Sequence, residues 1–279
     1  MRLLSLSVLA IASALAPSAF ADIMCADLST ENSSGSCNGA FFAQLNAQPT
    51  GSGNILSFLR VDNNAVPEEG LNTDARPYGT NNNADTTATF DHSELLANMA
   101  IVNGGFVAPN GQTVPGNASQ MYLEILLDIN QQKANPLLSL DQLVVNLNNN
   151  PNDDPNITLT GGLPDIPTMA GTTIYNLDGN ANNFVELNYA LNGGSGEGDA
   201  LVFIPITQAQ INACGLNCDV ELYSAFGEQT GMNNNDGYEE WAAVKGAVLV
   251  STPEPASMLL LGSCMIGISL AARKRMKKS

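Results

Sequence analysis

Tyr122-Leu-Glu-Ile-Leu-Leu-Asp-Ile-Asn130 alternates its side chains over the length of a strand. Leu123, Ile125, Leu127 and Ile129 fall on one phase, and Glu124, Leu126 and Asp128 on the other. A period of two sends these sets to opposite faces of an extended chain, so the stretch predicts a central β-strand with one face in a core. The same alternation recurs downstream. Val185, Leu187, Tyr189 and Leu191 oppose Glu186 and Asn188, and Val220, Leu222, Ser224 and Phe226 form another apolar phase.

Shorter β-rich runs are predicted at Ile55–Val61, Leu143–Leu147, Ile157–Leu159, Thr172–Tyr175 and Leu201–Ile206, with a last strand from Trp241 to Val250. Asn81-Asn82-Asn83, Asn148-Asn149-Asn150 and Asn233-Asn234-Asn235 mark turns, because asparagine tolerates left-handed backbone and bonds its own chain. Thr207 and Gln210 have capping-box spacing, which predicts one short helix leading into Cys214. No fixed-period repeat is present, which argues against a solenoid or propeller. Many short strands between turn signals predict an all-β, mostly antiparallel fold, a sandwich or jelly roll with few short helices. Residues 22–252 are enough for one such domain.

The ends of the chain read differently. Arg2, the apolar run Leu3–Leu15 and Ala19-Phe20-Ala21 before Asp22 fit a secretory signal over residues 1–21. Ala19 and Ala21 are then the small residues that signal peptidase reads, and the secretion machinery is the first partner. Between Asp22 and Thr252 only Arg60, Arg76, Lys133 and Lys245 are basic against 26 acidic residues, a net charge of −22. Such a surface excludes nucleic acid as a partner and disfavours anionic lipid, while suiting solubility or cation binding.

At the other end, Pro253-Glu254-Pro255 precedes an apolar run, Ala256–Ala272, and then Arg273, Lys274, Arg275, Lys277 and Lys278. Seventeen residues give a helix of about 25 Å, just enough to span a hydrocarbon core of about 30 Å. The basic cluster stays on the cytoplasmic side, which leaves the body outside. Each proline drives the residue before it toward extended geometry, so the tripeptide is an accessible stretch at the membrane surface.

In order, spacing and position, residues 253–279 resemble the PEP-CTERM sorting signal of Gram-negative surface and biofilm proteins. The resemblance implies processing near Pro253-Glu254-Pro255 by exosortase, a membrane-embedded cysteine peptidase or transpeptidase. It also implies a precursor held transiently in the inner membrane and a product at the cell surface or in the extracellular matrix, associated with extracellular polysaccharide. A permanent single-span anchor is the other reading of the tail. Within the body, residues 51–60, 70–76, 123–130, 138–143 and 237–241 resemble segments recurring among substrates of this kind, which implies that they form one unit. Similar tails occur on ice-binding proteins, but Thr86-Thr87-Ala88-Thr89 is too short for a threonine ladder.

Cys25, Cys37, Cys214 and Cys218 lie in the exported part, and Cys264 in the tail. An even count in an oxidising compartment predicts two disulfides, and proximity favours Cys25–Cys37 and Cys214–Cys218 among three connectivities. Zinc is disfavoured, since His92 is the sole histidine and the thiols form no Cys-x-x-Cys knuckle. His92 is also the only base for a serine nucleophile, and no Gly-x-Ser-x-Gly elbow exists.

Glu239 and Glu240 adjoin Trp241, but neighbours on a strand point to opposite faces, so they read as a solvated acidic edge. No catalytic residue and no required cofactor is assigned. A secreted glycan-binding or glycan-active protein, with a carboxylate pair from distant segments, is the alternative. Weak calcium candidates are Asp153, Asp154, Asp178 and Asp236, in Asx-rich loops without EF-hand spacing. Asp62-Asn63-Asn64 is a further Asx-rich loop of this kind. Tyr189, Tyr223, Tyr238 and Trp241 are either sugar-stacking rings or core, and Lys133 and Lys245 are the lysines available for an isopeptide crosslink.

Overall fold

The computed structural model describes residues 22–45, 57–61, 67–79, 82–160, 163–193, 198–215 and 217–244. The signal segment 1–21 and the tail 253–279 lie outside them, as do Asp62-Asn63-Asn64 and Lys245. No helix among the described residues is long and apolar enough to cross a membrane.

The chain opens with β1 (Ile23–Asp27), β2 (Ser34–Cys37) and β3 (Ala40–Gln44). Next come β4 (Ser57–Val61), β5 (Glu68–Leu71), β6 (Glu94–Leu95) and β7 (Ala100–Asn103). The long strands β8 (Met121–Asp128) and β9 (Leu137–Asn148) follow. After them lie a small hairpin, β10 (Thr158–Thr160) with β11 (Leu163–Asp165), then β12 (Thr172–Asn176) and β13 (Asn183–Asn188). β14 (Ala200–Ile206), helix α1 (Gln208–Cys214), β15 (Asp219–Phe226) and β16 (Glu239–Ala243) complete the order.

Two seven-stranded sheets result. One runs β1-β13-β9-β15-β5, with β12 also on β9 and β6 on β15; the other runs β2-β3-β14-β8-β16-β4, with β7 also on β8. Pairing is antiparallel throughout except for β1 with β13, which is parallel.

β8, the strand predicted to be central, is central. β14 lies along one of its edges, and β7 and β16 follow one another along the other. Leu123, Ile125, Leu127 and Ile129 enter one apolar cluster together with Leu138, Leu140, Leu143, Val145 and Leu147 of β9, so the two sheets share a core. The polar phase does not face water as an alternating strand would suggest. Tyr122 and Leu126 join Phe41, Phe203, Phe106 and Val114 in a second cluster, because the turn carrying Phe106 and Val114 folds back over that face. Glu124 and Asp128 are buried with them, each 2% exposed.

β9 begins at Leu137, six residues before the predicted start. Its register against β15 slips between Ala225 and Phe226, leaving Asp141 as the extra residue of a bulge. The slip lets Leu138 and Leu140 face the core on one phase while Leu143, Val145 and Leu147 face it on the other. β13 alternates as read, buried at Asn183, Val185 and Leu187. α1 carries the expected capping box: the Gln210 N–H donates to Thr207 Oγ1 at 3.2 Å, and the Thr207 N–H donates to Gln210 Oε1 at 2.8 Å.

Both predicted disulfides are present, Cys25–Cys37 and Cys214–Cys218. The first joins β1, an edge of one sheet, to β2, an edge of the other, where the Tyr175 hydroxyl of β12 also donates to the Cys37 carbonyl at 3.0 Å. It closes 12 residues of chain, which by loop-closure entropy contributes about 3 kcal/mol. The four-residue Cys214–Cys218 loop contributes about 2 kcal/mol on the same scale. Replacing Cys25 and Cys37 together by serine should therefore lower the urea midpoint more than replacing Cys214 and Cys218. Equal losses would show that the staple between sheet edges adds nothing beyond a local clip.

Candidate functional site

Four of the five body segments singled out in the sequence meet at one end of the paired sheets, where β4 and β5 bring the sheet edges together. Gly70 lies against β4, and a Cβ there would fall 2.7 Å from Val61 Cγ2, so only glycine allows this approach. Gly237, at φ +75°, lies against Asn130, whose Nδ2 would be 2.2 Å from an added Cβ. Between these contacts Glu239 and Glu240 leave β16 toward opposite faces, as expected of neighbours on a strand.

They are not a solvated edge, however. Glu239 is 0% and Glu240 4% exposed, because β16 is flanked by β4 and β8 and covered on both faces. Glu240 accepts hydrogen bonds from the Arg60 guanidinium and from Ser57 Oγ at 3.3 Å. Arg60 also pairs with Asp85 at 3.8 Å and stacks between Phe90 and Tyr238, its carbon 3.5 and 4.8 Å from the ring centroids. Glu239 accepts from Gln131 Nε2 at 2.8 Å and bonds Glu68 of β5.

A second carboxyl pair forms on the outer face of the other sheet. Glu221, 3% exposed on β15, hydrogen-bonds Asp153 and accepts from Asn148 Nδ2 at 3.4 Å. Burial, then the Asp153 charge and the bond between them, pushes the Glu221 carboxyl up to about 9. The two groups are in direct contact, and the adjoining cavity is about 10 Å³, which leaves no room for a sugar ring or for the separation that glycoside hydrolysis uses.

Burial is the leading cause at the other shifted acids as well. It takes Glu228 and Asp91 to about 8, Glu69 and Glu124 to about 7 and Asp178 to about 6. An acid whose proton is held more tightly in the folded state contributes its full stability below its unfolded value. That contribution is lost as pH rises through the folded one. The body is therefore favoured in mild acid and weakens as pH climbs through the range of about 6 to 9 set by these groups.

The calcium candidates sit in three separate settings. Asp153 Oδ2 accepts the Ala170 N–H at 2.7 Å beside Glu221, while Asp154 accepts from the Gly79 N–H and from Asn82 Nδ2 at 3.2 Å. Asp178 accepts the Asn183 N–H at 2.8 Å, and Asp236 is exposed before β16. No group of three or more His, Cys, Asp or Glu side chains among the described residues is arranged to hold a metal ion. His92 is a half-buried loop residue whose Nδ1 lies 2.7 Å from the Ser93 carbonyl.

Of the four rings considered for sugar stacking, Trp241, Tyr223 and Tyr189 are core, and only Tyr238, 39% exposed, reaches the surface. Lys133 is exposed. A cleft of about 470 Å³ opens between α1 and the ends of β9 and β12, lined by Asn148, Thr172, Gln210 and Cys214 among others. Its size suits a small ligand. Its Gln210 amide is engaged in the helix cap and its Asn148 amide with Glu221, and neither a charge nor an aromatic ring lines it.

Sequence reasoning missed Glu68, Glu221 and the asparagines that hold the carboxyls. The available signal was acidic residues set inside strands whose other phase is apolar.

Comparison with known proteins places the functional element in the tail. Residues 251–275 match the PEP-CTERM protein-sorting motif, as the resemblance implied, and the match reaches only the last two residues of the body, 251 and 252. No curated protein and no solved structure matches the chain. The motif indicates exosortase-dependent sorting of an exported protein, with exosortase as the processing enzyme.

Proposed function

We propose that this chain, which ends in a PEP-CTERM sorting motif, is a non-enzymatic component of the outer surface or extracellular matrix of a Gram-negative cell, associated with its polysaccharide. The motif at 251–275 is the observation that carries the reading. Export begins at the signal segment 1–21, the apolar run 256–272 holds the precursor in the inner membrane, and Arg273 to Lys278 fix its orientation. Exosortase then acts near Pro253-Glu254-Pro255 and frees residues 22–252, an all-β sandwich whose two sheets share a core.

Eight residues separate Val244, the last described residue, from Pro253, a reach of at most about 30 Å. The folded body therefore stands close to the membrane when the motif is read. Its net charge of −22 keeps it off anionic lipid and favours release.

Intact mass of the protein from cells and from medium, with and without reduction, tests this reading. The expected product starts at Asp22, ends near residues 253–255 and gains four hydrogen atoms on reduction of its two disulfides. A chain that still ends at Ser279 would make it a permanently anchored protein and remove the matrix assignment.

A further inference from the structure

Glu239 and four residues around it form a closed ring of hydrogen bonds. The Asn235 N–H donates to Gln131 Oε1 at 3.0 Å, which fixes the Gln131 amide so that its Nε2 donates to Glu239 Oε1 at 2.8 Å. Glu239 bonds Glu68, and Glu68 Oε2 accepts from Asn234 Nδ2 at 2.7 Å. Asn234 and Asn235 are consecutive, so the ring closes through one peptide. Glu68 and Glu239 are both 0% exposed, and they come from different sheets, β5 and β16. Two carboxyl groups in hydrogen-bond contact need a proton between them, because two carboxylates there have only acceptors to offer each other.

We propose that Glu68 and Glu239 form a proton-sharing latch that fastens β16, the last described strand before the sorting tail, to the opposite sheet, and that the latch opens when the shared proton is lost. Glu239 holds that proton and donates it to the Glu68 carboxylate, while Gln131 and Asn234 supply donors to the outer oxygens. The groups that act most on Glu239 are Glu68 from β5 and Gln131 and Asn130 from the segment after β8. Arg60 of the neighbouring β4 is turned to the other face, on Glu240 and Asp85. Burial first, then the Glu68 charge and the bond to it, raises the Glu239 carboxyl well above the ordinary glutamate value.

The sign follows from linkage: the latch is fully closed below the ordinary glutamate value, and its contribution is lost as pH rises through the higher folded value. The product of opening is two adjacent carboxylates inside the sheet edge, which repel and demand water. β16 is the last described strand before the processing motif, so the state of the latch sets how firmly the end of the described body is held.

Trp241, the only tryptophan in the chain, is two residues from Glu239 on the same strand face and reports on the latch directly. The experiment compares Trp241 emission and urea midpoint from pH 5 to pH 9 for the wild-type body and E239Q. Glutamine keeps a permanent donor toward Glu68, so E239Q should match the wild type at pH 5 and lose less of its midpoint and blue-shifted emission than the wild type by pH 9, its remaining loss being that of the other buried acids. E68Q, whose amide can donate to a Glu239 carboxylate, should flatten the profile in the same way and serves if E239Q does not fold. Profiles for both variants that fall in parallel with the wild type would overturn the proposal and assign the pH response to the other buried acids.

Discussion

Glu254→Ala should leave nearly all of the protein in the membrane fraction, with the 27 residues from Pro253 onward still attached. The physical reason lies in what surrounds this carboxylate. Proline cannot donate to a helix or ladder and biases the residue before it toward extended geometry, so an extended backbone is the sequence expectation, and Glu254 is its one charge before an apolar run. A membrane-embedded peptidase reading this site has a shaped backbone and a single anion to recognise. Alanine keeps the first and removes the second, and a buried recognition group left without its partner costs far more than a lost surface contact. Fractionation followed by intact mass checks the result. A variant released like the wild type would show that exosortase reads the prolines and the apolar run without Glu254. The body should be unaffected, since the last described strand ends at Ala243, and an unchanged urea midpoint of the purified body separates a sorting defect from misfolding.

Trp241→Ala should cost about 3–5 kcal/mol of stability, the range for truncating a large buried aromatic side chain. Trp241 is 0% exposed on β16, tilted at 34° against Phe226 with ring centroids 6.3 Å apart. Its Nε1 donates to Ser224 Oγ of β15 at 2.9 Å, a side-chain bond between the two sheets. Alanine opens a cavity between the sheets and leaves the Ser224 hydroxyl, itself fully buried, without this donor. Trp241→Phe keeps most of the packing and loses the bond, so its cost should be well under half of the alanine cost. Chemical denaturation of the three proteins checks the ratio; equal losses for Phe and Ala would mean that the hydrogen bond, and not the filled volume, holds the sheets together.

The strands found by reading the sequence are those whose two phases differ in polarity. β8, β13, β14 and β15 were legible because leucine, isoleucine and valine recur every second residue. β2, made of Ser34-Gly35-Ser36-Cys37, and β5, made of Glu68-Glu69-Gly70-Leu71, carry no such signal. They are strands because of the neighbours they pair with. The true start of β9 was hidden for a different reason, since the bulge at Asp141 breaks the phase in which periodicity is counted.

The buried acids were misread by the same logic. Glu239 and Glu240 are polar by composition, and nothing within their own strand reveals that β4 and β8 flank it or that Glu68, 171 residues earlier, supplies the partner. The asparagine runs were read as turns, which Asn148 is, its Oδ1 accepting the Asn150 N–H at 3.0 Å. Asn234 and Asn235 instead hold a buried ring.

The sequence by itself determined the address of this protein, because the tail acts as a linear text: two prolines, one carboxylate, an apolar run of spanning length and a basic end need only their order to be read. It also determined the all-β class and the single capped helix and favoured by proximity the disulfide pairs that the structure shows, because these signals rest on residues close together in the chain. Tertiary structure alone decided which acids are buried, which rings are core and which carboxyls are brought into contact. Those properties depend on groups brought together from distant strands, and burial and charge act through space.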